Sequence, residues 1–197
     1  MTTEIVIVAA KRTPMGGFQG ALSGLSATEL GAAVIAANLS DSGVTPNQVQ
    51  ELLMGCVLPA GLGQAPARQA ALGGGLPESV PATTVNKVCG SGMKTVMMAA
   101  DQIRTGQIDI AIAGGMESMT NAPYLMDKAR SGYRMGHQKV YDHMFLDGLE
   151  DAYDGNAMGV HAQTTANEFK ISREAMDEFA LRSLSRAQTA IEQGYFT

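Results

Sequence analysis

TTVNKVCGSGMKTVMMAADQIRTGQIDIAIAGGME, residues 83–117, decides how this chain is read. In order it gives a β-branched strand, a cysteine at a tight Gly-Ser-Gly turn, an apolar helix, a second strand and a double-glycine turn. Cys89 therefore stands where a strand hands over to a helix, among free backbone N–H groups and the positive helix end, a setting that favours thiolate over thiol. Met93, Val96, Met97, Ala100 and Ile103 recur at helical spacing, with Gly106 as the expected stop, and both sides of this helix are expected to be buried. Ile108, Ile110 and Ile112 then alternate with Asp109, Ala111 and Ala113, as in a strand of a covered sheet. Gly114 and Gly115 let another backbone come close.

Toward the N-terminus the same alternation of strands and helices continues. Residues 5–10 (IVIVAA) form a short continuous apolar run, expected to be a buried strand that leaves no room for a targeting peptide. The stretch 11–24, with Pro14 and glycines 16, 17, 20 and 24, reads as a loop whose only charges are Lys11 and Arg12. Ser26 and Glu29 make a capping box, and Leu30, Ala33, Val34 and Ala37 line one face of the helix it opens. Residues 51–58 (ELLMGCVL) read as another buried strand, within which Cys56 is expected to be an inert core residue. A glycine turn, Pro66 at a first helical position and a short helix lead to the strand 82–85. No GxGxxG or GxxxxGK[ST] phosphate loop is present.

Beyond Glu117 the texture changes to mixed polar, aromatic and charged residues, which places a domain boundary near Ala122. Lys128, Arg130, Arg134, His137 and Lys139 form a positive cluster suited to phosphates, an oligomer contact or plain solvation. Residues 158–169 read as a helix. Ser172 caps a second one, whose Met176, Phe179, Leu184, Ala187 and Ile191 share a side before Gly194 stops it, so both helices are amphipathic and need a partner surface.

Composition narrows the classes. With 197 residues, 45% of them hydrophobic, the chain suffices for one large domain or one and a half. A formal charge of -5 argues against a nucleic-acid partner. Two cysteines without a CxxC pair or secretory leader speak against a disulfide framework or zinc ribbon and for a reducing cytosol. The apolar run around 30–39, interrupted by Gly31 and Asn38, is too short to span a bilayer.

VNKVCGSGM (85–93) followed by GGMESMTNAPY (114–124) resembles the thiolases, the acyl-CoA acyltransferases. KRTPMGGFQG (11–20), GQAPARQAAL (63–72) and DHMFLDGLEDAYDGNAMG (142–159) are spaced as in that family, so the resemblance covers essentially the whole chain. It implies an α/β fold, a thiolase-like mixed sheet with covering helices, over residues 1–121, and the first part of an inserted helical loop domain, serving CoA binding and oligomerisation, over 122–197, with the C-terminal domain absent. By the same resemblance Cys89 is the nucleophile that accepts an acyl group, and its backbone N–H is one donor of an oxyanion hole. Leu149 and Met158 match apolar positions near the coenzyme. The implied reaction is reversible Claisen condensation or thiolysis of 3-ketoacyl-CoA in fatty acid metabolism, with acetyl-CoA and acyl-CoA as substrates, no cofactor and no metal. A cytoplasmic homodimer or homotetramer is implied, without nucleic-acid or membrane partners.

Departures from the family pattern matter. Its CxGGG and GHPxG motifs, which carry the second cysteine and the activating histidine, are absent, and His137, His143 and His161 lie in no matching context. Ala157 takes the place of a family histidine at DGNAMG, leaving acyl-chain preference open. The chain alone is therefore expected to be inactive in carbon–carbon bond chemistry. Two other readings stand beside this one: a catalytically incomplete half that only oligomerises or binds, and a cysteine hydrolase pairing Cys89 with a downstream histidine. Glu117 is expected to be a structural carboxylate bonded to backbone, and Lys87 either adds positive potential or is plain surface.

Overall fold

The computed structural model describes residues 4–195; Phe196 and Thr197, the last two of the expected 122–197 domain, lie outside it. By compactness the chain divides at Gly148 and Leu149, so residues 122–148 pack with the first unit.

The first unit is α/β, as the sequence led one to expect. Three parallel strands, β1 (Glu51–Gly55), β2 (Ala82–Val85) and β3 (Ala111–Gly115), form a sheet in the order β2-β1-β3. Leu52 pairs with Ala82 on one side and with Ile112 on the other, and Gly55 with Val85 and Gly115. Helix α2 (Pro66–Gly73) connects β1 to β2, and α3 (Ser91–Arg104) connects β2 to β3. These crossovers run in opposite directions, so the usual right-handed connection puts the two helices on opposite faces. Along β1 the alternation is visible in the packing: Leu52 and Met54 join the main core with Ile35, Ala67, Ala70 and Ala71, while Gly55, next along the strand, faces the first turn of α3.

Helix α1 (Ala27–Ser42) begins with the expected capping box: Ser26 Oγ accepts the Glu29 N–H at 3.2 Å and Glu29 Oε2 accepts the Ser26 N–H at 2.8 Å. Ser26→Ala is expected to cost about 1 kcal/mol in a urea titration. The buried stripe of α1 differs from the expected one. Ala27, Thr28, Gly31 and Ile35 face inward, whereas Ala33 is exposed and Leu30, Val34 and Ala37 are half-buried. Gly31 is the reason, because a Cβ there would meet Met116 Sδ at 2.7 Å and Ala70 Cβ at 3.2 Å, so the helix turns its smallest residue toward α2.

Three further expectations are corrected. Residues 5–10 are not a strand, and Val6, Ile7 and Val8 are 67%, 80% and 63% exposed. A strand needs a hydrogen-bonded neighbour, and none is present for this run among the described residues. Instead it lines one side of a cleft of about 320 Å³ whose other walls include Ile112 of β3 and Val96 of α3. Helix α3 is buried on one side only: Ser91, Thr95 and Ala99 face the sheet, while Met93, Val96 and Met97 are exposed. Apolar spacing marked the helix correctly, but the inward side was chosen by small residues that allow close packing. The strand after α3 is also displaced. It starts at Ala111 rather than Ile108, because Gln50 Oε1 captures the Asp109 and Ile110 amides before the ladder begins.

The first unit also holds a short antiparallel pair, β4 (Tyr124–Leu125) with β5 (Tyr141–Asp142). In the second unit, α4 (Met158–Glu168) and α5 (Arg173–Glu192) form as expected, with Ser172 Oγ accepting the Ala175 N–H at 3.2 Å. Phe179, Leu184 and Ile191 of α5 are exposed. No helix among the described residues is long and apolar enough to cross a membrane.

Candidate functional site

Three segments leave the sheet at the C-terminal ends of its parallel strands, the end where ligands of open α/β sheets bind. Cys56 follows β1, the Cys89 turn follows β2, and Glu117 follows β3. The Cys56 and Glu117 segments hold each other across about 60 positions, whereas the Cys89 turn is held by its own neighbours.

Cys89 directly precedes Gly90, the N-cap of α3, and is exposed. The turn that presents it is closed by its own neighbours. Asn86 Oδ1 accepts the Val88 N–H at 2.9 Å, and the Gly90 N–H donates to the Lys87 carbonyl at 3.1 Å. The buried Ser91 is bound twice: its Oγ accepts the Lys87 N–H at 2.8 Å and donates to the Val88 carbonyl at 2.6 Å. This network holds Val88 at φ +47°, a left-handed conformation that a β-branched residue adopts only where the surroundings impose it, at a cost of order 1–3 kcal/mol. Sequence reading missed both the strained Val88 and the double role of Ser91. The only local signal was the Asn-x-Val-Cys-Gly-Ser order itself.

Helix α3 sits directly on the strand ends because glycines face each other there. A Cβ on Gly55 would lie 2.7 Å from Ser91 Cβ and 2.8 Å from the Gly92 nitrogen, and one on Gly115 would lie 3.3 Å from Gly92 Cα. The buried Thr95 completes the contact by donating to the Gly114 carbonyl at 2.9 Å. Lys87 is exposed.

Glu117 is a structural carboxylate. Its Oε2 accepts the Val57 N–H at 2.7 Å and its Oε1 accepts the Leu58 N–H at 3.0 Å, so it pins the loop leaving β1. Cys56, fully buried, donates its thiol to Glu117 Oε1 at 3.6 Å. Burial first, then the carboxylate's charge and hydrogen bond, push the Cys56 thiol up to about 12, so it stays protonated and unreactive at neutral pH. The native state keeps this proton while the unfolded chain releases it near the usual value of 9.0. The resulting stability is fully present below that pH and is lost as pH rises toward 12. In a Cys89→Ser background, Glu117→Gln is expected to lower the Cys56 value, read as a shift of ultraviolet thiolate absorbance to lower pH; no shift would refute the role given to the carboxylate charge.

The three histidines lie in different settings. His143 is buried in the first unit, with Nδ1 2.6 Å from Asp147 Oδ2 and Nε2 facing the Ala60 N–H at 3.4 Å. His137 is exposed, as are Lys128, Arg130, Arg134 and Lys139 of the positive cluster. In the second unit, His161 Nε2 lies 3.4 Å from Asp154 Oδ1. Asp151 joins these two in a group whose ligating atoms fall within 4.8 Å of one another. Its carboxylate already caps the Tyr153 and Asp154 amides, and that of Asp154 caps Asn156, so the group shapes the loop before α4. The hydrogen bonds from Asn156 and the nearby His161 keep Asp154 below the ordinary carboxylate range. Also in this unit are Leu149, half-buried, and Met158, exposed at the start of α4 behind its N-cap Ala157.

Comparison with known proteins adds a family. Residues 5–197 match the family described as "Thiolase, N-terminal domain". The chain is 52% identical over 194 residues to the acetyl-CoA acetyltransferase of Cupriavidus necator, covering 98% of this chain and 49% of that protein. It is 53% identical to acetyl-CoA acetyltransferase 2 of Arabidopsis thaliana, covering 48% of it, and 47% identical to a probable acetyl-CoA acyltransferase of Staphylococcus aureus, covering 49%. The chain thus spans about half the length of the curated relatives it matches.

Proposed function

The chain belongs to the thiolase family, and on that premise we propose that it supplies the acyl-accepting part of an acyl-CoA acyltransferase, with Cys89 as nucleophile. One observation carries the reading: the exposed Cys89 stands at the start of α3, on a strained turn at the C-terminal end of a parallel sheet. In the first half-reaction the Cys89 sulfur attacks the carbonyl carbon of an acyl-CoA, forming an S–C bond. The carbonyl oxygen takes the negative charge, which the Cys89 backbone N–H stabilises as one oxyanion donor. Collapse breaks the bond to the coenzyme sulfur, which leaves as thiolate and takes up a proton, and the acyl group remains on Cys89. The exchange conserves a thioester, so the intermediate is neither a trap nor a barrier, and two-step transfer of this kind gives ping-pong kinetics.

In the second half-reaction a coenzyme thiolate, or the α-carbon of a second acetyl-CoA, takes the acyl group from Cys89. The carbon reaction needs a base at the α-proton, and no residue of this chain matches the family position for it. Condensation and thiolysis of 3-ketoacyl-CoA need that base, and residues 1–197 by themselves are expected to give at most slow acylation. Residues 1–121 serve as the nucleophile-bearing domain and 122–197 as the first part of a loop domain, where Leu149 and Met158 contribute apolar wall to the coenzyme site. The protein works without a cofactor, as a cytoplasmic homodimer or homotetramer.

The test is incubation with acetyl-CoA followed by peptide mapping. The expected result is one acetyl group on the Cys89 peptide, released by added coenzyme A. An adduct on Cys56, or none from a full-length protein, would overturn the proposal. A second reading is a half that binds or oligomerises without turnover. It predicts coenzyme binding with no acetyl-cysteine.

A further inference from the structure

We propose that His143 is a positioning residue that latches the loop after β1 while its ring is neutral and releases it when protonated. The loop begins at Cys56, whose N–H donates to the Val85 carbonyl at 3.0 Å, and Glu117 holds its next two amides. Farther along, the Ala60 N–H meets His143 Nε2. A backbone N–H only donates, so this nitrogen presents its lone pair, and the ring's proton sits on Nδ1, facing Asp147 Oδ2 at 2.6 Å. The ring is 4% exposed, and its own backbone N–H is tied to the Pro123 carbonyl at 3.2 Å, so it has little freedom to swing away.

A second proton on the ring would go to Nε2 and place two donors face to face in a buried setting. Protonation of His143 and the Ala60 hydrogen bond therefore exclude each other. Among the described residues, Asp147 is the one carboxylate within ion-pair distance of the ring. Asp142, the last residue of β5 and next to His143 in sequence, is occupied in accepting the Met144 N–H, and Glu117 faces the start of the loop rather than Ala60. Asp147 thus holds the proton on Nδ1, and the Ala60 N–H takes up the lone pair of Nε2.

The latch reaches the cysteine through Asn86. That side chain's Nδ2 donates to the Val57 carbonyl at 3.5 Å, and its Oδ1 closes the Cys89 turn by accepting the Val88 N–H. Holding the loop in place holds Asn86 in place. The consequence for acyl transfer rests on the assignment of Cys89 made above, whereas the latch itself does not.

The experiment is amide hydrogen exchange of the full chain by nuclear magnetic resonance, comparing Ala60 with Cys56 as the non-titrating reference. The protection of Ala60 relative to Cys56 is expected to fall about tenfold or more between about pH 8 and about pH 5. His143→Gln places an amide oxygen where Nε2 stands, accepts the Ala60 N–H without titrating, and is expected to flatten this dependence. Asp147→Asn, an independent variant should the first fail to fold, takes away the carboxylate that holds the ring proton on Nδ1 and is expected to lower the protection of Ala60 relative to Cys56 at about pH 8. A flat ratio in the unmodified chain, or ring-nitrogen shifts placing the proton on Nε2 near pH 8, would overturn the latch. Acetyl labelling of Cys89 is read separately, so its loss with the latch intact would sink only the acyltransfer reading.

Discussion

Cys89→Ala is expected to remove the acetyl-enzyme completely and to lower acyl transfer by the full-length protein by a factor of about 10⁴ or more. The size follows from the role. A nucleophile that forms the covalent intermediate has no understudy here, since Cys56 is buried, protonated and directed at Glu117. Because Cys89 is exposed and the turn around it is held by Asn86, Lys87 and Ser91, losing the thiol leaves the local hydrogen bonds intact, and the urea midpoint should move little. Cys89→Ser is a sharper version of the test. Its hydroxyl is a weaker nucleophile and forms an ester more stable than the thioester it must pass on, so any acetyl it accepts should persist when coenzyme A is added. Cys56→Ala is expected to keep the label. A Cys89→Ala protein that still labels and turns over would end the assignment.

Gly55→Ala is expected to destabilise the first unit by about 2–4 kcal/mol, read as a lowered urea midpoint. The added Cβ would meet Ser91 Cβ at 2.7 Å, the Ser91 carbonyl carbon at 2.8 Å and the Gly92 nitrogen at 2.8 Å. Two of those atoms are backbone, so no rotamer change relieves the clash and α3 must lift from the sheet. That movement carries the Cys89 turn with it, since Ser91 is both the atom struck and the group that closes the turn. Acetyl labelling of the surviving folded protein should fall as well, a double effect that a simple core defect would not give. Gly24→Ala is the control: nothing lies within 4 Å of a Cβ there, and its effect should stay within about 0.5 kcal/mol. Equal midpoints for the two variants would refute the account of how α3 is seated.

Much of the fold was legible because its signals are local. Ser26 with Glu29 and Ser172 with Ala175 each mark a helix start, since a cap and its partner lie within three residues of each other, and Pro66 marks another as the first residue of its helix. The strand–cysteine–helix–strand order around residue 89 was legible for the same reason. What failed to be read depends on partners far along the chain. The run 5–10 has the composition of a strand, yet strandhood is a pairing between segments and no single segment contains it. Helix α3 was expected to be buried on both sides and is buried on one, because Gly55 and Gly115, rather than the helix's own apolar residues, decide which side can approach the sheet.

The amino-acid order by itself determined the class of element at most positions and the place of Cys89 between a strand and a helix, because caps, turns and periodicity act over one or two turns of backbone. Only the tertiary structure decided that Glu117 reaches the amides of Val57 and Leu58, that Asn86 links two loops, and that His143 meets Ala60. Those contacts join residues up to 83 positions apart. They exist only once the parallel strands have brought their ends together, because a hydrogen bond is fixed by distance and direction in space.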